Sequence, residues 1–297
     1  MRRVFTSERG LRAGWRFLIW LAIGITLLVG LQAAVVWIFR PGEHAFLDPL
    51  RLMLGDLLAL VAAAVATFVM MRIERRTLRD YYWPTGEFFG RNFWMGLLWG
   101  VGAISLCIAL IALFGGYRIT GVALSGSALL KFTVLWIAAS FAIGVVEEFT
   151  FRAYQLRTLA DGIGFWPAAT LLSAAFGAIH YFSKPYERWE DFLSTGLLAL
   201  FMCLTVRRTG TLAFAIGWHI AFDWGAMFLY SGRNAGEFAV GKLLETQWAG
   251  PDWLTGGLLG PEASWMMAIV IAALFFGFDR VYRPAATHRA ESAQPET

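Results

Sequence analysis

The amino-acid sequence predicts an all-α, polytopic membrane helix bundle with about eight transmembrane helices. Of its 297 residues, 58% are hydrophobic, with 14 Trp and 25 Phe, and the mean hydropathy is +0.58; a soluble domain is roughly half apolar and a quarter charged. Apolar stretches long enough to cross a bilayer recur along the whole chain. Arginines gather in alternate connections between them, as the positive-inside rule requires of a multi-pass protein.

The eight stretches are Trp15 to Phe39, Leu52 to Met71, Phe93 to Phe114, Phe132 to Val146, Phe165 to Phe182, Phe192 to Val206, Leu212 to Tyr230, and Ser264 to Phe278. The first follows a basic N-terminus, exceeds the apolar region of a signal peptide and lacks a small-residue cleavage site behind it, so it is read as a retained helix. The fourth and sixth are short. The fourth is expected to run on as helix through Arg152 and Leu156, since no Gly or Pro intervenes before Asp161-Gly162. Gly96 to Gly100 in the third is a GxxxG, explained by close helix packing.

Arg2, Arg3, Arg9, Arg12 and Arg16 precede the first stretch, and Arg72, Arg75, Arg76, Arg79 and Arg91 fill the second connection. Arg157, then Arg207 with Arg208, then Arg280, Arg283 and Arg289 follow the fourth, sixth and eighth. With eight spans all these segments lie on one side, which places both termini in the cytoplasm, for a bacterial chain at the inner (plasma) membrane. The connection from Ser231 to Glu262 then faces out. Residues 1–283 form a single transmembrane domain whose motif-bearing core covers about 131–230; residues 284–297 read as a disordered cytoplasmic tail.

Composition also excludes classes of function. The 25 Lys and Arg against 21 Asp and Glu leave only +4, and that excess is a topology signal, so no nucleic-acid partner is expected. Cys107 and Cys203 lie in apolar runs and read as small buried thiols, with no disulfide framework or CxxC metal site.

The chemistry concentrates in Glu147, Glu148 and Arg152. Ionisable groups at membrane depth are costly and mark functional paths. Glu148 and Arg152 are four apart and share a helix face, where they can pair. Glu147, about 100° round the helix, is left free for work. Two further stretches carry His180 and His219, and His219 shares a face with Asp223. A glutamate and two histidines from separate helices are the ligand types of a catalytic zinc site, so Glu147, His180 and His219 are the candidate ligands of a divalent metal, zinc by ligand type. Hydrolysis suits such a set: metal-bound water loses a proton near neutrality, and a glutamate accepts it. A serine triad is disfavoured, because no Gly-x-Ser-x-Gly elbow occurs and Ser140 and Ser173 stand in ordinary apolar context.

Glu147-Glu148-Phe149-Thr150-Phe151-Arg152, Phe176-Gly177-Ala178-Ile179-His180 and His219-Ile220-Ala221-Phe222-Asp223 resemble, in order, the EExxxR, FxxxH and HxxxN/D motifs of the CPBP (ABI/CAAX-protease) family of intramembrane proteases. The resemblance covers about Phe132 to Tyr230. It implies that Glu147 activates water with His180 sharing that water or a metal, that Glu148 and Arg152 support it, and that His219 and residue 223 form the oxyanion side. It also implies a membrane protein or peptide substrate, prenylated in CAAX processing, met within the lipid bilayer. The family has been described both as metal-independent and as metal-dependent. Position 223 departs toward Asp: an ionised aspartate only accepts hydrogen bonds, so Asp223 is protonated, orients His219 or binds metal. The competing class is a non-enzymatic scaffold or immunity-type protein, or a transporter using the same carboxylates. Against a transporter, the halves carry no matching Gly/Pro-broken helices.

Overall fold

A computed structural model describes residues 6–7, 10–39, 45, 47–184, 186 and 188–283; the tail expected over 284–297 lies outside the described residues. The chain is a helical membrane bundle, and each of the eight apolar stretches is a helix. A two-strand ribbon of β1 (Thr6–Ser7) and β2 (Gly10–Leu11) leads into α1 (Ala13–Phe39). Helix α2 (Pro49–Glu74) begins with Pro at its first position and Asp48 accepting from the Leu50 and Arg51 amides, which satisfies two of the donors a helix start leaves free. Helix α3 (Arg91–Leu113) leads to strand β3 (Tyr117–Val122) and then α4 (Gly126–Glu148).

The expected extension of the fourth helix occurs, with a change of winding. Directly after Glu148 the backbone becomes a π-helix over Phe149–Gln155, then returns to α-helix in α5 (Leu156–Ile163). Helices α6 (Phe165–Ser183), α7 (Trp189–Thr209) and α8 (Ala213–Asp223) follow, and α8 also ends in a π-helical turn, Trp224–Leu229. Wide turns of this kind are rare and collect at functional sites; here one directly follows Glu148 and the other Asp223. Among the described residues five helices are long and apolar enough to cross a membrane: α1, α2, α3, the continuous Gly126–Ile163 helix and α7. Helix α8 with its π turn is shorter and apolar. Helix α10 (Trp265–Val281) closes the bundle.

Burial explains the layering. Helix α1 buries only Trp20 and Gly24 and turns Leu18, Ile25, Val29 and Val36 outward, a lipid-facing surface. Trp20 donates to Thr67 of α2 at 2.9 Å. Helix α8, by contrast, is buried on nearly every side. It lies backbone to backbone on α3: a Cβ built at Gly96 or Gly100 would stand 2.2 Å from the Phe214 or Trp218 carbonyl oxygen, and one at Gly217 2.3 Å from that of Phe93. Lipid-solvated helices associate through such close packing, since burial between helices gains little over burial in lipid.

The segment after α8 folds back over the bundle. It forms the hairpin β4 (Arg233–Asn234) and β5 (Glu237–Phe238), then β6 (Leu244–Trp248), which pairs antiparallel with β3 with a bulge between Ile119 and Gly121. A short α9 (Asp252–Thr255) and a 3₁₀ turn, Pro261–Ala263, lead to α10. Trp136 of α4 donates its indole N–H to the Val240 carbonyl at 2.9 Å, and the Val240 amide donates to Leu47 at 3.0 Å. The cover is thus bonded to α4 and to the start of α2.

Candidate active site

Helices α2, α4, α6, α7 and α8 and the folded-back cover enclose a cavity of about 220 Å³ lined by all six sequence-predicted residues: Glu147, Glu148, Arg152, His180, His219 and Asp223. Their positions differ in kind. Glu148 is fully buried, and one of its oxygens, Oε1, takes Arg152 Nη1 at 3.2 Å and His219 Nδ1 at 2.8 Å. A carboxylate can only accept, so the imidazole donates from Nδ1 and its ring plane is set. Its other nitrogen, Nε2, is thereby directed toward Glu147 Oε2 at 3.5 Å and Asp223 Oδ2 at 3.6 Å.

Glu147 is the more open of the two glutamates, its side chain 24% exposed. Its Oε2 is buried without a hydrogen-bond partner. Asp223 shares the face of α8 that carries His219, and its side chain is 15% exposed.

Helix α6 contributes His180, whose Nδ1 lies 3.0 Å from the Phe176 carbonyl oxygen one turn earlier. Phe176 is the hinge of this wall: the Arg152 guanidinium lies 4.6 Å from its ring centre, and the His180 ring is centred 4.3 Å away. The last residue of one motif thereby meets the first residue of the next, whose two ends lie ring against ring. A guanidinium over an aromatic face is attracted by the ring quadrupole, which holds Arg152 beside Glu148.

Among the described residues, no group of three His, Cys, Asp or Glu side chains is arranged to hold a metal ion. Glu147 and His219 approach each other, while His180 is directed by its own helix carbonyl. As placed, these side chains do not form the three-ligand arrangement of a catalytic zinc site, although an Nδ1 engaged by a backbone carbonyl leaves the His180 Nε2 open as a ligand.

Four lining residues escaped sequence reasoning. Asp56 of α2 brings a carboxylate into the cavity with Oδ2 buried and unpartnered. It is the lone acidic residue between Leu52 and Met71, so the cost argument applied to the glutamates would have found it. Lys184 lies against Asp191 of α7 in a bidentate pair at 3.0 and 3.1 Å, a partnership no spacing rule predicts. Asn234 and Glu262 enter from the cover, and only the fold-back brings them near.

Residues 129–225 match the family model described as Rce1-like, Type II CAAX prenyl endopeptidase Rce1-like. No curated protein matches the chain. The matched segment contains the three motifs of the resemblance drawn from the sequence and runs from the start of the continuous α4 helix to the end of α8. It supports a membrane protease, and the bundle of apolar helices makes this an integral membrane protein.

Proposed function

We infer from this match that the chain is an intramembrane endopeptidase that hydrolyses a peptide bond of a membrane-associated or lipidated substrate with Glu147 as general base. The observation carrying the reading is the unpartnered, cavity-facing oxygen of Glu147, 3.5 Å from an imidazole nitrogen whose ring is clamped by Glu148. A water bound between Glu147 and the scissile carbonyl gives its proton to the carboxylate as it attacks. Glu147 then passes that proton to the leaving amine. His219, protonated at Nε2, donates that hydrogen to the oxyanion that forms, with Asp223 close by to stabilise the ring's positive charge. Preorganised donors in a water-poor site are worth several kcal/mol to such an intermediate.

Glu148 and Arg152 act through His219 by fixing its orientation. His180 faces the same cavity and positions the water or the substrate amide. The zinc expected from ligand types would need Glu147, His180 and His219 to converge, and no step here depends on it. A prenylated C-terminal peptide is the proposed substrate class, by likeness to the family description, approached within the bilayer, with both termini proposed to be cytoplasmic.

The test is cleavage of a panel of membrane-tethered peptides, prenylated and unprenylated, by the purified protein. Loss of the general base in Glu147→Gln lowers turnover by about 10²–10⁴ while the unfolding temperature stays put. Turnover retained by that variant overturns the assignment. Turnover absent from the unaltered protein on every peptide, together with proton-coupled uptake in vesicles that Glu147→Gln abolishes, would favour the transporter class.

A further inference from the structure

A second cavity, of about 960 Å³, opens away from the active site where α1 begins, α2 ends and α5 ends. Four arginines line it, Arg12, Arg16, Arg76 and Arg157, against two acids, Glu74 and Asp161. The acids are already engaged. Glu74 accepts from Arg16 at 2.5 Å and from the Tyr154 hydroxyl at 2.5 Å, and Asp161 takes Arg76 at 2.7 Å, Arg16 at 3.3 Å and Arg157 at 3.3 Å.

Even so, three donors of this cluster remain buried without a hydrogen bond: Arg16 Nε, Arg76 Nη1 and Arg157 Nε. Arg157 Nε and Arg76 Nη1 stand 3.3 and 3.6 Å from acidic oxygens without forming one. Buried charged donors left without a hydrogen bond are costly, and all three belong to residues lining one cleft. An anion with several acceptor oxygens would satisfy them.

The surroundings decide which anion. The cleft lies at the ends of helices long and apolar enough to cross a membrane. Leu18, Ile73 and Ile163 line it and are exposed, so its rim continues into the lipid-facing surface of α1 and α2. A phosphate with acyl chains fits both parts. We propose that this cleft binds the phosphodiester headgroup of an anionic phospholipid, seated between α1, α2 and α5. Basic pockets between transmembrane helices take anionic headgroups on the same principle. The bound lipid would tie α1 to the helix that carries Glu147, because α5 continues it.

The experiment uses the full-length protein in nanodiscs of phosphatidylcholine with increasing phosphatidylglycerol, read by native mass spectrometry and by crosslinking to a photoreactive phosphatidylglycerol. We expect retention of phosphatidylglycerol over phosphatidylcholine and crosslinks within residues 10–18 and 157–163. Arg12→Gln and Arg157→Gln should each weaken retention about fivefold, the factor corresponding to about 1 kcal/mol for one basic residue at an anionic surface. Arg12 is exposed and Arg157 half-buried, and Arg157→Lys, which keeps the charge, should restore binding. Arg118→Gln, in exposed β3, is the control for net charge and should change nothing. Equal retention of both lipids, crosslinks elsewhere, or the same loss in Arg118→Gln overturns the proposal. Displacement of the lipid by inorganic phosphate at equal concentration would show a soluble-anion site and overturns it too.

Discussion

Oε1 of Glu148 accepts at once from Nδ1 of His219, at 2.8 Å, and from Nη1 of Arg152, at 3.2 Å. One fully buried oxygen therefore joins a cation of its own helix to an imidazole of α8 and fixes which histidine nitrogen faces the cavity. Nothing about position 147 or 219 alone would set that geometry.

Removing one partner of a buried charge pair leaves the other uncompensated, at a cost of about 3–5 kcal/mol. Arg152→Met is expected to lower the unfolding temperature in detergent markedly and to abolish cleavage. A variant as stable as the parent would mean that Glu148 does not need its cation.

Asp223 lies 3.6 Å from the histidine nitrogen that faces the cavity. Asparagine keeps an acceptor of the same shape and adds a donor, so Asp223→Asn should reduce kcat by less than about tenfold, the worth of one ordinary hydrogen bond. Steady-state kinetics beside Glu147→Gln checks this; a loss as large as that variant's would make Asp223 a proton-transferring group.

Gly100 and Gly102 form a matched pair. A Cβ at Gly100 would stand 2.2 Å from the Trp218 carbonyl oxygen, whereas one at Gly102 meets nothing within 4 Å. Gly100→Ala should push α8 off α3, cost about 1–3 kcal/mol as overpacking does, and impair turnover through the adjacent His219. Gly102→Ala should leave both stability and turnover intact. Equal effects of the two would contradict the close backbone approach.

Asp80 caps the turn after α2, its carboxylate accepting from the Thr77 amide at 2.7 Å and hydroxyl at 2.8 Å. The Thr77 backbone bond, with the hydroxyl behind it, holds this carboxyl below its ordinary 3.8. Its stabilisation is therefore present above that value and fades as pH falls through the lowered one. Asp80→Ala should cost about 1 kcal/mol at neutral pH, as loss of a cap does, and nothing in strong acid. Unfolding midpoints at both pH values measure the difference.

The general-base chemistry proposed for Glu147, with no step routed through a metal, gives a prediction about metal. Elemental analysis should find no stoichiometric zinc, and chelator should leave turnover unchanged. Zinc bound at one per chain and lost in His180→Ala would overturn the metal-free chemistry proposed above.

The eight helices and the identity of the motif residues were legible in the sequence because lipid imposes a harsh rule. Every crossing segment must be apolar and helical, and any ionisable exception announces itself. The Glu148–Arg152 pair was legible as well, since helical geometry ties positions four apart. The π-helical turns after Glu148 and Asp223 were not, because winding depends on packing against neighbours rather than on local preference.

What the sequence determined by itself is thus the local part: which segments are helices, which carboxylates and imidazoles they carry, and which of those share a face. Only the tertiary structure decided how they meet. It joined His219 to Glu148, left Glu147 Oε2 without a hydrogen bond in the cavity, brought Asp56, Asn234 and Glu262 to its walls, and gathered arginines distant in sequence into one cleft. The reason is physical: within a helix, spacing fixes distance, but between helices distance depends on backbones approaching at Gly96, Gly100 and Gly217, a property of the assembled bundle.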